Sequence, residues 1–334
     1  MKNEIIWEDA AKICEKINFK SLDGATVLIT GASGMIGTYL LATLTLLKES
    51  GKNIRVYGMC RSVPRHTLNI MTRSRDQILL TSAVPFERPD VIIHAAGYAS
   101  PRSFLLDEAE TIYVNTALTQ ELLSKLDPQG KFLFLSSSEV YSGWGYKECQ
   151  VRPCESDIGT TTPYHPRACY IEGKRCGETL VNAYRSHANA KSARLAMTYG
   201  PGTRRGDKRS WCSFIEGALI QKRIALQFPG RETRVMCYIR DAVEMLWNVC
   251  LRGKEPVYNV TGFAPSVSMA YVAKTISEVT GASLHIPDGN ELQGAPDDVR
   301  ISNSRIYNEF GKTDFVPLEE GLRRTIDWQK ELYK

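Results

Sequence analysis

No stretch of this chain stays apolar for the roughly 20 residues a membrane-spanning helix needs, and Glu4, Glu8 and Asp9 interrupt the N-terminus. A membrane span and a secretory leader are therefore not expected, and a cytoplasmic location is. Nine cysteines occur without a Cys-x-x-Cys pair, and the five histidines form no cluster. No metal site is expected, and the thiols read as reduced. The net charge is only +5 over 334 residues, with Lys and Arg scattered, so no nucleic-acid partner is indicated. Internal repeats and low-complexity tracts are absent.

What is present begins with a short apolar run, Val27 to Ile29, followed by Thr30-Gly31-Ala32-Ser33-Gly34-Met35-Ile36-Gly37 and an apolar helix pattern through Leu44. A strand joined to a helix by glycines is the pattern of a dinucleotide loop. Gly31 permits a tight turn, Gly34 lets a pyrophosphate approach the backbone, and Gly37 lets the helix pack closely. The first-turn N–H groups face the anion. Gly31, Ser33, Gly34, Met35, Ile36 and Gly37 are the expected cofactor contacts.

Residues 4–18 have helical apolar spacing and predict a short helix ahead of the fold. Strands are then predicted at 26–30, 54–59, 90–95 and 131–136, and helices at 35–48, 104–125 and 166–187. This alternation implies a doubly wound parallel sheet of Rossmann type, α/β in class, covered on both faces. After Gly200-Pro201-Gly202 the texture becomes shorter and more mixed, with a basic loop at Arg204, Arg205, Lys208 and Arg209. The expected division is an N-terminal helical extension at 1–22 and a dinucleotide-binding domain at 23–200. A smaller, mixed α/β substrate lobe, interleaved with it, covers 201–334.

Tyr170 and Lys174 are four apart within a predicted helix and share a face. A nearby cation favours the phenolate, which suits Tyr170 to proton exchange. Ser137 lies at the end of a predicted strand, where ligands sit in such sheets, and can hold a substrate oxygen beside the phenol. The loop, the serine and the Tyr/Lys pair occur in the order that hydride transfer at an alcohol carbon requires.

These residues resemble the extended short-chain dehydrogenase/reductase family of nucleotide-sugar epimerases, dehydratases and decarboxylases. The likeness runs over nearly the whole chain. It includes His94-Ala95-Ala96, Asn115, Tyr199-Gly200-Pro201-Gly202, Arg234 before Tyr238-Ile239-Arg240-Asp241, and Tyr258-Asn259-Val260. It implies a bound NAD, with Arg61, Ala95, Ala96, Gly97, Asn115, Tyr170 and Lys174 as further cofactor contacts. It also implies a nucleotide diphosphate sugar as substrate, held by Ser100, Ser138, Met197, Lys208, Arg209, Arg234 and Arg300, with Arg234 on the diphosphate. A homodimer is implied through helices 104–125 and 166–187, with Leu105, Leu106, Leu118, Leu122 and Leu123 serving that face or the sheet.

Locally, Ser137-Ser138-Glu139-Val140-Tyr141, Pro166-Arg167-Ala168-Cys169-Tyr170 and Ala99-Ser100-Pro101 resemble UDP-glucuronate decarboxylases most. Ser137, Glu139, Tyr170 and Lys174 are the expected catalytic set, with Glu139 exchanging a proton and Lys174 keeping Tyr170 acidic. Ser138 replaces the aspartic acid of 4,6-dehydratases, so a dehydratase ranks behind decarboxylation and 4-epimerisation. Three departures bear on the site. Cys60-Arg61-Ser62 follows the second strand without an acid for the adenosine ribose, so Arg61 either meets a 2′-phosphate, favouring NADP, or lies on the adenine of NAD. The aspartate that touches adenine in the family is missing near Thr81-Ser82-Ala83. Met197 replaces a substrate-contacting asparagine. A non-catalytic NAD(P)-binding sensor or scaffold, and a reductase with exchangeable NADP, are the alternatives these departures leave open.

Overall fold

The computed structural model describes residues 4–74, 77–79, 88–98, 100–144, 152–263, 265–290 and 298–334. Thr81–Ala83 and Ala99, singled out above, lie outside them.

Six strands in chain order, β1 (Thr26–Thr30), β2 (Arg55–Met59), β3 (Gln77–Leu79), β4 (Val91–His94), β5 (Lys131–Ser137) and β6 (Asn189–Leu195), join the Val257–Val260 strand in one sheet. Its order is Val257–Val260, β6, β5, β4, β1, β2, β3, and every pairing is parallel. The order reverses between β1 and β4, which opens a crevice at the carboxyl ends of those strands.

Both faces of the sheet are covered, and the side-chain alternation of each strand divides one apolar run between two cores. Leu28, Ile92, Phe132 and Phe134 point to one core. Val27, Ile29, Val91, Ile93, Leu133 and Leu135 point to the other. Leu118, Leu122 and Leu123 also fill the first core, whereas Leu105 and Leu106 are exposed.

The first two helices are α1 (Glu4–Lys16) and α2 (Met35–Glu49). Asp9 of α1 is wholly buried, accepting from the Tyr39 hydroxyl at 3.0 Å, the Tyr238 hydroxyl at 2.8 Å and Arg324 at 3.0 Å. A buried carboxylate is tolerable only with such partners. Burial still raises its pKa above the ordinary value, with Arg324 pulling it back. The N-terminal helix is thereby bonded to α2, to the end of the Met236–Tyr238 strand and to the last helix, Leu318–Tyr333.

The helix predicted over 104–125 is three pieces after α3 (Arg65–Ser74): α4 (Pro101–Phe104), α5 (Glu108–Asn115) and α6 (Ala117–Lys125). Asp107 breaks the run by capping α5, its carboxylate accepting from Glu110 N at 3.0 Å. The predicted 166–187 helix is α-helical over Ala168–Ala183. β6 had no sequence signal, because Lys191, Ser192 and Arg194 interrupt its apolar residues. All three are buried. Arg194 is paired to Glu178 at 2.8 Å. The sheet also takes its edge strand and the covering helix Ile239–Arg252 from beyond residue 200.

Candidate active site

The glycine loop closes against the end of β4. Gly31 has φ +66°, and a Cβ there would stand 2.4 Å from the Ala95 carbonyl oxygen. A Cβ on Gly37 would stand 2.4 Å from the Gly31 carbonyl oxygen. The loop is therefore seated on Ala95-Ala96, and the first turn of α2 is seated on the loop. Gly34 is the N-cap of α2 and offers no side chain to its first-turn N–H groups, which remain for an anion. The cradle fits a dinucleotide pyrophosphate.

His94 locks this junction. The Thr30 hydroxyl accepts from Ala96 N at 3.1 Å, so its own proton goes to His94 Nδ1 at 2.7 Å. Nε2–H then donates to the Val114 carbonyl at 3.0 Å. This is a neutral imidazole, and burial pushes its pKa down to about 3.

Ser137, Tyr170 and Lys174 converge at the end of β5. Ser137 terminates the strand, caps the turn Ser138–Tyr141 through Glu139 N at 3.2 Å, and faces the Tyr170 phenol. The Tyr170 ring is stacked on Phe104 at 4.5 Å between centroids. Lys174 Nζ donates to the Leu135 carbonyl at 2.7 Å and lies 5.6 Å from the Tyr170 ring centroid. Gly97 borders the ammonium, a Cβ there falling 3.8 Å from Nζ.

Burial pushes the Tyr170 phenol up to about 12, with Ser137 pulling the other way. Burial also pushes Lys174 down to about 7, against the attraction of Glu178. Desolvation displaces both groups toward their neutral forms.

Several further expectations change. Glu139 is not a free base: one oxygen accepts from Arg167 at 2.6 Å and the other from Ser142 at 3.1 Å. Ser100 is the N-cap of α4, bonded to Ser103, and its use is to set Phe104 against Tyr170. Asn115 is buried where α5 meets the Ala168–Ala183 helix, 3.4 Å from the Cβ position of Gly173. Its Nδ2 donates to the Thr111 carbonyl, and its Oδ1 is without a partner. Asn115 thus supports the Tyr/Lys helix from behind.

Arg209 is turned toward Met35 of the glycine loop. Asp207 holds it at 2.7 Å, and its guanidinium reaches Met35 Sδ at 3.9 Å. Lys208 is exposed beside it. Ser138 is half-buried in the turn after Ser137. Met197 opens a strand that pairs with Met236–Tyr238, in register with Met236. Arg234 pairs in register with Val299, which Arg300 follows in the chain.

Arg204 is the residue sequence reasoning passed over. Its guanidinium donates to Ser33 Oγ at 2.7 Å and to Ser62 Oγ at 2.9 Å, bridging the glycine loop and the end of β2. Arg61 donates to the Tyr98 hydroxyl at 2.8 Å and lies over that ring. Among the described residues no group of three His, Cys, Asp or Glu side chains is placed to hold a metal ion, and no helix is long and apolar enough to cross a membrane.

A Rossmann sheet with a Ser/Tyr/Lys set beside its glycine loop defines a dinucleotide-dependent enzyme of the short-chain dehydrogenase/reductase type. The chain belongs to the NAD dependent epimerase/dehydratase family, whose model matches residues 27–261. It is 32% identical to UDP-glucuronic acid decarboxylase 5 of Arabidopsis thaliana over 89% of this chain and 86% of the relative. It is 28% identical to UDP-glucuronic acid decarboxylase 1 of Xenopus tropicalis over 93% of this chain and 73% of the relative. Its fold is shared with UDP-glucuronic acid 4-epimerase from Bacillus cereus, solved with UDP-glucuronic acid and NAD. The TM-score is 0.77 at 23% identity, over 92% of this chain and 100% of that one.

Proposed function

We propose that this enzyme decarboxylates a UDP-glucuronate-like nucleotide sugar through a 4-keto intermediate, with NAD as its cofactor. The observation that carries the reading is the convergence of Ser137, Tyr170 and Lys174 at the end of β5, with the Lys174 Nζ 5.6 Å from the Tyr170 ring centroid. The decarboxylase relatives support the choice of reaction. Residues 23–200 carry the cofactor, and residues 201–334 grip the sugar nucleotide.

Bound NAD supplies reversible hydride acceptance at the sugar C4 carbon. Tyr170 exchanges the proton of the C4 hydroxyl, and Ser137 holds the same oxygen. Once C4 is a ketone, a carboxylate on C5 is a β-keto acid. It leaves as carbon dioxide, and its bonding electrons pass toward the C4 oxygen. Tyr170 and Ser137, both O–H donors, stabilise the charge that develops there. Arg234 and Arg300 supply guanidinium groups for the diphosphate and the carboxylate. Ser138 has no acidic proton to give a leaving hydroxyl, which disfavours dehydration.

The test is product analysis after incubation with UDP-glucuronate and, separately, dTDP-glucose. Carbon dioxide and a UDP-pentose from the first, with no 4-keto product from the second, are expected. A UDP-hexuronate epimer without carbon dioxide would overturn the decarboxylase assignment. The chain is further proposed to pair as a homodimer through α5 and the Ala168–Ala183 helix, where Ile112 and Tyr113 stay exposed. Light scattering reads this directly, and a monomer at micromolar concentration would refute it.

A further inference from the structure

The helix that carries Tyr170 and Lys174 has a third polar residue on the same stripe. This is Glu178, one turn beyond the ammonium, and the C4 chemistry makes no direct use of it. Glycines bring the helix down onto its neighbours. A Cβ on Gly177 would stand 2.5 Å from the Phe134 ring, and one on Gly173 would stand 3.4 Å from Asn115 Cβ. The stripe therefore lies against the end of β5. Lys174 Nζ donates to the Leu135 carbonyl at 2.7 Å, the Ser136 hydroxyl donates to Glu178 Oε1 at 2.5 Å, and Ser137 faces the Tyr170 phenol.

β6 holds Glu178 from the other side. Arg194 stands in register with Ser136. Its Nε and Nη2 donate to the two carboxylate oxygens at 3.0 Å and 2.8 Å. Its Nη1 is spent on the Tyr141 hydroxyl at 2.7 Å and on the Glu155 and Asp157 carbonyls. The two side chains are only 7% and 14% exposed. A carboxylate so held keeps one position, and the low dielectric around it carries its field to the neighbouring ammonium.

We propose that Glu178 is a positioning residue for the oxidation at C4: clamped by Arg194 and Ser136, it keeps Lys174 an ammonium and sets where Tyr170 stands against Ser137. The proposal rests on reading Ser137, Tyr170 and Lys174 as the reacting set. Burial drives Lys174 toward the neutral amine, and Glu178 opposes it. The other groups around Nζ are the Tyr170 phenol, the Phe134 ring at 4.8 Å and the neutral His94 imidazole on β4, with Arg194 behind the carboxylate. Fastening of helix to sheet survives replacement of Glu178 by a neutral amide of the same shape, whereas the charge does not.

The test follows Lys174 itself, by carbon-13 NMR of the full chain labelled at the lysine Cε atoms, its signal assigned by loss in Lys174→Met. Glu178→Gln is expected to lower the Lys174 midpoint by about one pH unit. Turnover of UDP-glucuronate should then fall about tenfold at about pH 8, in kcat with KM little changed, and return toward the parent at about pH 5.5. Glu178→Gln leaves Arg194 buried beside a neutral partner, a costly arrangement. Glu178→Gln/Arg194→Gln leaves no lone buried charge there. Its midpoint should move in the same direction by less, and the melting temperatures of both variants are read beside the parent. A midpoint unmoved in the folded variants overturns the proposal. A kcat deficit equal at every pH overturns it too, because that is lost fastening alone. A midpoint that falls, in a protein whose parent releases no carbon dioxide from UDP-glucuronate, refutes only the decarboxylase reading. Carbon dioxide from the parent with an unmoved midpoint refutes only this inference.

Discussion

At one end of the crevice Ser137 and Lys174 are buried, Tyr170 is half-buried, and each is fixed by the strand or ring behind it. At the other end Arg61 and Arg204 are exposed and held only by hydroxyl and carbonyl oxygens. Proton transfer demands placement within a few tenths of an ångström, and this chain obtains it from β5, Phe104 and the Ala168–Ala183 helix. The exposed arginines need no such precision, and they come from two loops distant in sequence. The first kind of site costs stability through desolvation, which is visible in the displaced pKa values of Tyr170 and Lys174. The second kind is exposed to solvent and to salt.

The largest expected effect separates the two ends outright. Tyr170→Phe should lower turnover by about 10³, within the range of general acid–base catalysis. Affinity for adenosine 5′-monophosphate should stay unchanged, because the glycine loop is seated on Ala95-Ala96 and not on the phenol. Steady-state rates and titration of the same preparation check both halves. Gly31→Ala strikes the loop that the two ends share. A left-handed φ and a Cβ 2.4 Å from a backbone oxygen should cost about 3 kcal/mol. Urea denaturation should report that loss, and binding of every adenine nucleotide should weaken.

Lys174→Met sharpens the contrast through pH. The folded Lys174 pKa of about 7 lies below the ordinary 10.5. Between those values the unfolded chain binds the extra proton, so this group makes stability rise with pH from about 7 to about 10.5. The parent should gain on the methionine variant across that window in paired thermal melts. Salt should leave the gap alone, since the group is buried. The smallest effect is Asp107→Ala, which removes the cap of α5 and should cost about 1 kcal/mol, read as a lower melting temperature with the pH dependence of Lys174 intact.

The sheet was largely legible because each central strand is a local apolar run. The predicted 26–30 strand matches β1, and 54–59, 90–95 and 131–136 fall within a residue of β2, β4 and β5 at either end. Ser137, Tyr170 and Lys174 converge as their order suggested. β6 escaped because its charged side chains are buried with polar partners, Arg194 with Glu178 on the Ala168–Ala183 helix and Lys191 with Asn189. Arg204 escaped for the same reason at longer range: it meets Ser33 across 171 residues. Glu139 read in sequence as a proton exchanger and Arg209 as a substrate contact, and the structure adds an ion pair to each, with Arg167 and Asp207.

The most direct measurement uses UDP-glucuronate carrying deuterium at C4 and follows carbon dioxide release in the first turnover. If Ser137, Tyr170 and Lys174 serve oxidation at C4, the deuterated substrate releases carbon dioxide several-fold more slowly than the ordinary one. Equal first-turnover rates from the two substrates would contradict it.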